Sequence, residues 1–297
     1  MNLKDIIENA RDMKKFENIE DYIDFSKIYL NFIAHNIQAE IVSRNENNYR
    51  FLQYKKDGTY NVTRPLNFDL MYNLDNYSNI SKEFIKILGS IKDHGIDTFD
   101  NREIINRFVY TTQQSIGAAL DALPAKDSNF ARKINGTLFE RFIKLIIART
   151  GIKVSEGTVN VPVEVDGEVQ FSMKYQHDLI LHNEMNENCA YGSVKTSSKD
   201  RIGKIFVDKF LHSRLTGNDV PYFAIFLNDV QRKGKEGKFG INGTFLSNHF
   251  KGYTIKLNPL DGVYYFDIRP NMKTEPLLKE HIKTFDNFLF NDMHKLV

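Results

Sequence analysis

Apolar residues recur at three- and four-residue intervals through much of the first hundred positions, and that spacing predicts helices. DYIDFSKIYLNFIAHNI (Asp21 to Ile37) and SKEFIKILGSI (Ser81 to Ile91) carry it most clearly. Between them, YRFLQYKKDGTYNVTRPL (Tyr49 to Leu66) sets aromatic and β-branched residues on both sides of Asp57-Gly58, a hairpin signature. A further helix is expected from Asn101 to Leu123, stopped near Pro124. Ala131 to Arg149 is strongly amphipathic, with Phe139, Phe142, Ile143, Ile146 and Ile147 on one face and Gly151 as the C-terminal cap.

Beyond Gly151 the period changes from helical to alternating. TVNVPVEVDGEVQFSM (Thr158 to Met173) alternates about Asp166-Gly167, which predicts a second hairpin. Asp178 to His182 and Cys189 to Thr196 read as two more strands. Ser197 or Ser198 is placed to cap a helix running to about Leu215. VPYFAIFL (Val220 to Leu227) reads as a buried strand, and GYTIKL (Gly252 to Leu257) and GVYYFDI (Gly262 to Ile268) as further strands. A helix over Lys273 to Leu296 closes the chain. The order describes an α/β core over residues 126–297, preceded by a mainly helical accessory subdomain over 1–125. No Pro- or Ser-rich linker separates the two, so one compact body is expected.

Charge narrows the choice of partners. Lys+Arg 40 against Asp+Glu 38 gives a net charge of +2, so any polyanion-binding surface must come from local clustering. Cys189 is the sole cysteine, which excludes an intrachain disulfide and fits a reducing, cytoplasmic setting. MNLKDIIENARDMKKFENIEDY lacks the apolar stretch of a signal peptide, and no run approaches the roughly 18 apolar residues of a membrane span. There is no phosphate-binding glycine loop and no HExxH, and one cysteine with scattered histidines argues against a zinc site.

The chemistry concentrates between Asp178 and Asp208. Alone, an Asp opening an apolar strand is most often a turn residue, and a strand-end lysine is most often simply solvated. Lys195, at the polar end of GSVK, follows Asp178 by seventeen residues. That spacing suits adjacent antiparallel strands joined by NEMNEN (Asn183 to Asn188), which would bring both side chains to one edge of a sheet. A carboxylate and an ammonium so placed are the minimum for metal-assisted phosphodiester hydrolysis.

Asp178 and Lys195 resemble the PD-(D/E)xK nuclease motif, with His177 where proline is common and Ser193 where the second acid stands. KTSSKDR (Lys195 to Arg201) resembles the KxxxKDR signature of type II restriction endonucleases that read CCGG, CCNGG and related sites. In that group the second acid has moved to the following helix, 13 or 14 residues beyond the lysine, and Asp208 stands 13 residues beyond Lys195, where relatives usually carry Glu. The resemblance covers roughly residues 136–210 and implies a PD-(D/E)xK core, a mixed sheet flanked by helices. It also implies that Asp178 and Asp208 hold Mg²⁺, that Lys195 acts on the attacking water, and that Lys199, Asp200 and Arg201 contact C·G pairs. The chemistry agrees, because Arg can bond guanine O6 and N7 together and Asp can accept from cytosine N4.

Other residues are candidates on weaker grounds. Glu140, in GTLFERF, would complete the metal site as acids on a preceding helix often do in this fold; the alternative is an exposed i,i+4 pair with Lys144. QRKGKEGK (Gln231 to Lys238) offers Lys233 and Lys235 to a phosphate backbone, though such a run is more often a solvated loop. Gln114, in YTTQQSIGAALD, could read a minor groove, while the small-residue face beside it points to close helix packing. Ser193, two residues before Lys195, joins the candidate DNA contacts.

The expected function is Mg²⁺-dependent cleavage of double-stranded DNA at a short palindromic site containing CC/GG steps. A homodimer, with a tetramer as the alternative, follows from such a site, and a cognate DNA methyltransferase would be the partner enzyme. The accessory subdomain would serve DNA contacts or dimerisation. The alternatives are a sequence-specific DNA-binding protein on an inactive nuclease scaffold, and a structure-specific repair nuclease.

Overall fold

The computed structural model describes residues 2–56, 59–93, 97–199, 201–233 and 239–297. Its first four α-helices begin where short polar side chains satisfy free backbone N–H groups. Helix α1 (Leu3–Arg11) starts from Asn2, which forms a reciprocal capping pair with Asp5, and α2 (Ile19–Asn36) starts from Asn18 paired with Asp21 in the same way. Strands β1 (Ala39–Val42), β2 (Tyr49–Lys56), β3 (Thr59–Val62) and β4 (Leu66–Asn67) make a small antiparallel sheet. The β2–β3 pairing has the register expected of a hairpin about Asp57-Gly58, whose turn lies outside the described residues. Helices α3 (Leu74–Ser90), α4 (Phe99–Leu120) and α5 (Ser128–Arg149) follow. Asn73 and Thr98 cap α3 and α4, and Gly151, at φ +89°, takes the left-handed position after α5.

The main sheet then forms from β5 (Lys153–Val165), β6 (Glu168–His182), β7 (Asn188–Ser197) and, after α6 (Ile202–Thr216), β8 (Tyr222–Asn228). A small ribbon of β9 (Val230–Arg232) and β10 (Ile241–Gly243) precedes α7 (Ser247–Lys256), and β11 (Gly262–Tyr265) and β12 (Ile282–Thr284) complete the sheet. The order is β12-β11-β8-β7-β6-β5. β5, β6 and β7 are antiparallel, while β7, β8, β11 and β12 run parallel, so the sheet is mixed. One face packs on α5 and the N-terminal helices, and the other on α6 and α7.

Residues on both sides of position 125 share one core. Tyr22 of α2 stacks on Phe142 of α5 at 4.5 Å and donates its hydroxyl to the Leu138 carbonyl at 2.9 Å. Three local expectations fail for identifiable reasons. Gly252 to Leu257 is not a strand but the last turns of α7 and its C-terminal cap, because Phe250 and Thr254 sit one helical turn apart and bury together, with Phe250 edge-on to Phe206 of α6. The single closing helix is interrupted: Pro276 restarts a short helix and Ile282–Thr284 pairs with β11 as an edge strand. The separate strand at Asp178 is continuous with the hairpin arm before it, giving the long β6.

Candidate active site

The β5–β6 hairpin turns through Asp166 (φ 53°) and Gly167 (φ 82°), consecutive left-handed residues suited to a two-residue connection. Further along, the ladder slips: His177 pairs with Gly157, but Ile180 pairs with Ser155. β6 thus spends one more residue than β5 on the same interval, a bulge that falls at Asp178 and Leu179. The bulge re-aims the strand. His177 stacks on Tyr191 at 4.2 Å, within the core under α6, whereas Leu179 belongs to the core under α5.

β6 and β7 remain paired only as far as Leu179 and Gly192. A side chain at position 192 would be crowded, since a Cβ there would lie 2.4 Å from Phe223 Cζ and 3.1 Å from Leu179 Cβ. Past this point a carboxylate replaces the ladder: Asp178 Oδ2 accepts the Val194 N–H at 2.8 Å. Lys195 Nζ donates to the same Oδ2 at 2.6 Å and to Glu140 Oε1 at 2.8 Å. The three side chains are 13%, 30% and 28% exposed for Asp178, Lys195 and Glu140, so the cluster is shielded yet open to a substrate. Burial, then the Asp178 charge, holds the Glu140 carboxyl above the usual range despite Lys195. Burial opposes the Lys195 charge, but Asp178 and Glu140 outweigh it and raise its pKa. Lys144 pairs instead with Glu156 at 2.9 Å, which leaves Glu140 to the site.

The remaining candidates divide. Ser193 pairs with Ala224 on β8 and, two residues before Lys195, projects to the same side of β7. Asp208 stands outside the cluster, hydrogen-bonded by Lys204 one turn earlier on α6. Its charge is felt by Tyr175, three residues before Asp178 on β6. Among the described residues, no group of three or more His, Cys, Asp and Glu side chains is arranged to hold a metal ion.

Ser197 and Ser198 do not cap α6. The N–H groups of Arg201 and Ile202 both bond the Ser198 carbonyl, and this turn delays the helix to Ile202. Lys199 and Arg201 are exposed on the turn, while Asp200 lies outside the described residues, as does Lys235. Lys233 is exposed and fixes the ribbon through its N–H to the Gly240 carbonyl at 2.8 Å. Gln114 must be corrected. It is wholly buried in α4, so it cannot reach a groove, and Gly117 one turn on lies tight against Arg64, which is bonded to Asp121. The small-residue face there serves packing.

Two arrangements had no sequence signal. Lys199 Nζ donates to Gln231 Oε1 at 3.2 Å, which unites the helix start with the basic ribbon. At the ends of β8 and β11, Arg269 bonds Glu46 at 2.7 Å and Tyr49 at 3.0 Å and lies 3.8 Å from Asp229. Asp267 there accepts from Tyr49 at 2.7 Å and Asn67 at 2.8 Å. Burial pushes the Asp229 carboxyl up to about 6.

No family model and no curated protein sequence matches the chain. Among solved structures, the type IIP restriction endonuclease Kpn2I superposes with a TM-score of 0.69 at 18% identity, over 99% of this chain and 96% of its own. The restriction endonuclease PspGI, in a complex with substrate DNA, gives 0.44 at 12% identity, over 74% of this chain and 92% of its own. No helix among the described residues is long and apolar enough to cross a membrane. From end to end, this chain has the restriction-endonuclease fold seen in Kpn2I, a mixed sheet flanked by helices.

Proposed function

We propose that this chain is a type II restriction endonuclease that hydrolyses double-stranded DNA, with Mg²⁺, at a short palindromic site containing CC/GG steps. The observation that carries this reading is the convergence of Glu140 and Asp178 on Lys195 where β6 and β7 part. The donor set is oxygen-only and dicarboxylate, which suits Mg²⁺, an ion that keeps waters and borrows ligands from phosphate. Asp178 and Glu140 would hold it, and when bound it supplies charge neutralisation at the phosphate and a more acidic water. Asp208 is the third carboxylate; its partner Lys204 is an exposed cation, and such pairs cost little to break.

The protein's own groups do the positioning. The Val194 N–H fixes the Asp178 carboxylate, and β7 brings Lys195 to the same point. Lys195 orients the attacking water and stabilises charge on the scissile phosphate. Lys199 and Arg201, on the turn before α6, read C·G pairs in the major groove together with Asp200, which lies between them in sequence. Lys233 and Lys235 follow the phosphate backbone. A palindromic site calls for a two-fold homodimer, and a cognate methyltransferase would protect the host's own sites.

The test is digestion of mixed-sequence DNA with Mg²⁺, followed by sequencing of the ends. Cutting at one fixed short palindrome is expected, with Lys195→Ala and Asp178→Asn inactive but still binding that sequence. A second reading, a DNA-binding protein that no longer cuts, draws on Ser193 in place of an acid; it requires selective binding with no cleavage. Cutting without a fixed sequence would instead indicate a structure-specific nuclease.

A further inference from the structure

The ribbon β9–β10 is held far more firmly than a solvated loop. Val230 buries with Tyr49, Phe51 and Ile241 in a small core of its own. The Asp229 carbonyl accepts from both the Thr244 N–H at 2.6 Å and the Thr244 hydroxyl at 2.7 Å. On the other side Asn45 bonds the Ile241 backbone twice, giving its amide to the carbonyl at 3.0 Å and accepting the N–H at 2.9 Å. β8 leads into the ribbon beside the end of β7, where Asn228 pairs with Ser197. The ribbon therefore emerges next to the turn that carries Lys199 and Arg201.

Gln231 and Arg232 are both exposed on β9, and neighbours on a strand face opposite ways. The hydrogen bond from Lys199 shows which faces the turn: it is Gln231. A two-stranded ribbon fits a major groove as a helix does, and the favoured partner of a Gln amide there is adenine, through N6 and N7. An amide oxygen has two lone pairs, so Gln231 Oε1 can keep Lys199 and still accept from adenine N6.

We infer that β9–β10 is a second base-reading element and that Gln231 selects an A·T pair adjoining the C·G pairs read from the turn before α6. Arg232, on the opposite face of the ribbon, meets phosphate. This inference rests on the proposed nuclease function and extends it to the outer part of the recognition site.

The experiment selects bound duplexes from a randomised library without Mg²⁺, and cleaved duplexes with Mg²⁺, for the full chain and for Gln231→Ala and Arg232→Ala. The wild-type site should contain an A·T pair beside its C·G pairs. Gln231→Ala should become indifferent at that pair alone, losing roughly 5- to 150-fold discrimination there while keeping the C·G pairs. Arg232→Ala should weaken all sequences alike and lower the salt dependence of binding. Unchanged specificity in Gln231→Ala, or equal weakening on every sequence, overturns the inference and leaves the nuclease reading intact. A wild-type chain that neither binds selectively nor cuts overturns both. Gln231 is exposed, so an unaltered melting curve for the variant rules out misfolding as the cause.

Discussion

Asp178, Lys195 and Glu140 show how much a single side chain depends on where the backbone aims it. The seventeen-residue spacing put Asp178 and Lys195 on neighbouring strands, yet alternation alone does not bring the carboxylate to the ammonium. The bulge does, and the parting of β6 from β7 leaves the Val194 N–H for Asp178 to occupy. Removing the Glu140 charge while keeping its shape tests its share. Glu140→Gln should slow Mg²⁺-dependent cleavage on the order of 100-fold or more, since each ~1.4 kcal/mol of lost stabilisation is a factor of ten. Asp208→Asn should also lower cleavage, and Asp208→Glu should retain much of it. Wild-type rates in Asp208→Asn would leave Asp178 and Glu140 as the complete carboxylate set.

Elements succeed or fail as units. Gly192 lets β7 lie against Phe223 and Leu179 three residues before Lys195. Gly192→Ala should overpack this site and lower unfolding free energy by about 1–3 kcal/mol, measured by urea denaturation. On the opposite face, His177 stacks with Tyr191 and lies edge-on to Tyr222 at 5.6 Å. Burial, followed by the charges of His212 and Lys204, lowers its pKa to about 4. The folded state thus resists a proton that the unfolded chain accepts near its ordinary value. The resulting stability is full above about pH 6.5 and is lost as pH falls toward 4. His177→Phe keeps the stacking ring and removes the titration, so wild type should lose stability relative to this variant across that window. Parallel pH profiles for the two proteins would show that His177 is not the group responsible.

At the scale of the whole molecule, the ionic network at Arg269 joins the small N-terminal sheet to the ends of β8 and β11. Glu46 and Tyr49 come from the first half of the chain, and Asp229, Asp267 and Arg269 from the second. The buried carboxylates of Asp229 and Asp267 rely on this one guanidinium and its neighbours. Arg269→Ala should therefore cost roughly 3–5 kcal/mol, the penalty of leaving a buried charge uncompensated. A thermal melt checks it, and a drop below about 1 kcal/mol would mean that solvent reaches the carboxylates after all.

The element types, the α/β class of the second half and the Asp178–Lys195 pair were legible in the chain, because periodicity, caps and turn residues act within a few positions of one another. Asp166-Gly167 turned the hairpin where the local signal said, and Asn18 and Asn73 began helices by bonds to residues three places on. Gly252 to Leu257 was misread because the alternation of a short apolar run cannot tell a strand from a buried helix until its partners are known. Glu140 met Lys195 only when α5 packed beneath β7, and Gln114 ceased to be a candidate when α4 buried it. The Gln231–Lys199 bond and the Arg269 network join residues 32 to 223 positions apart. Such pairings depend on sheet order and on which ends of the parallel strands meet, and that is decided by the global burial of apolar faces rather than by any local run of residues.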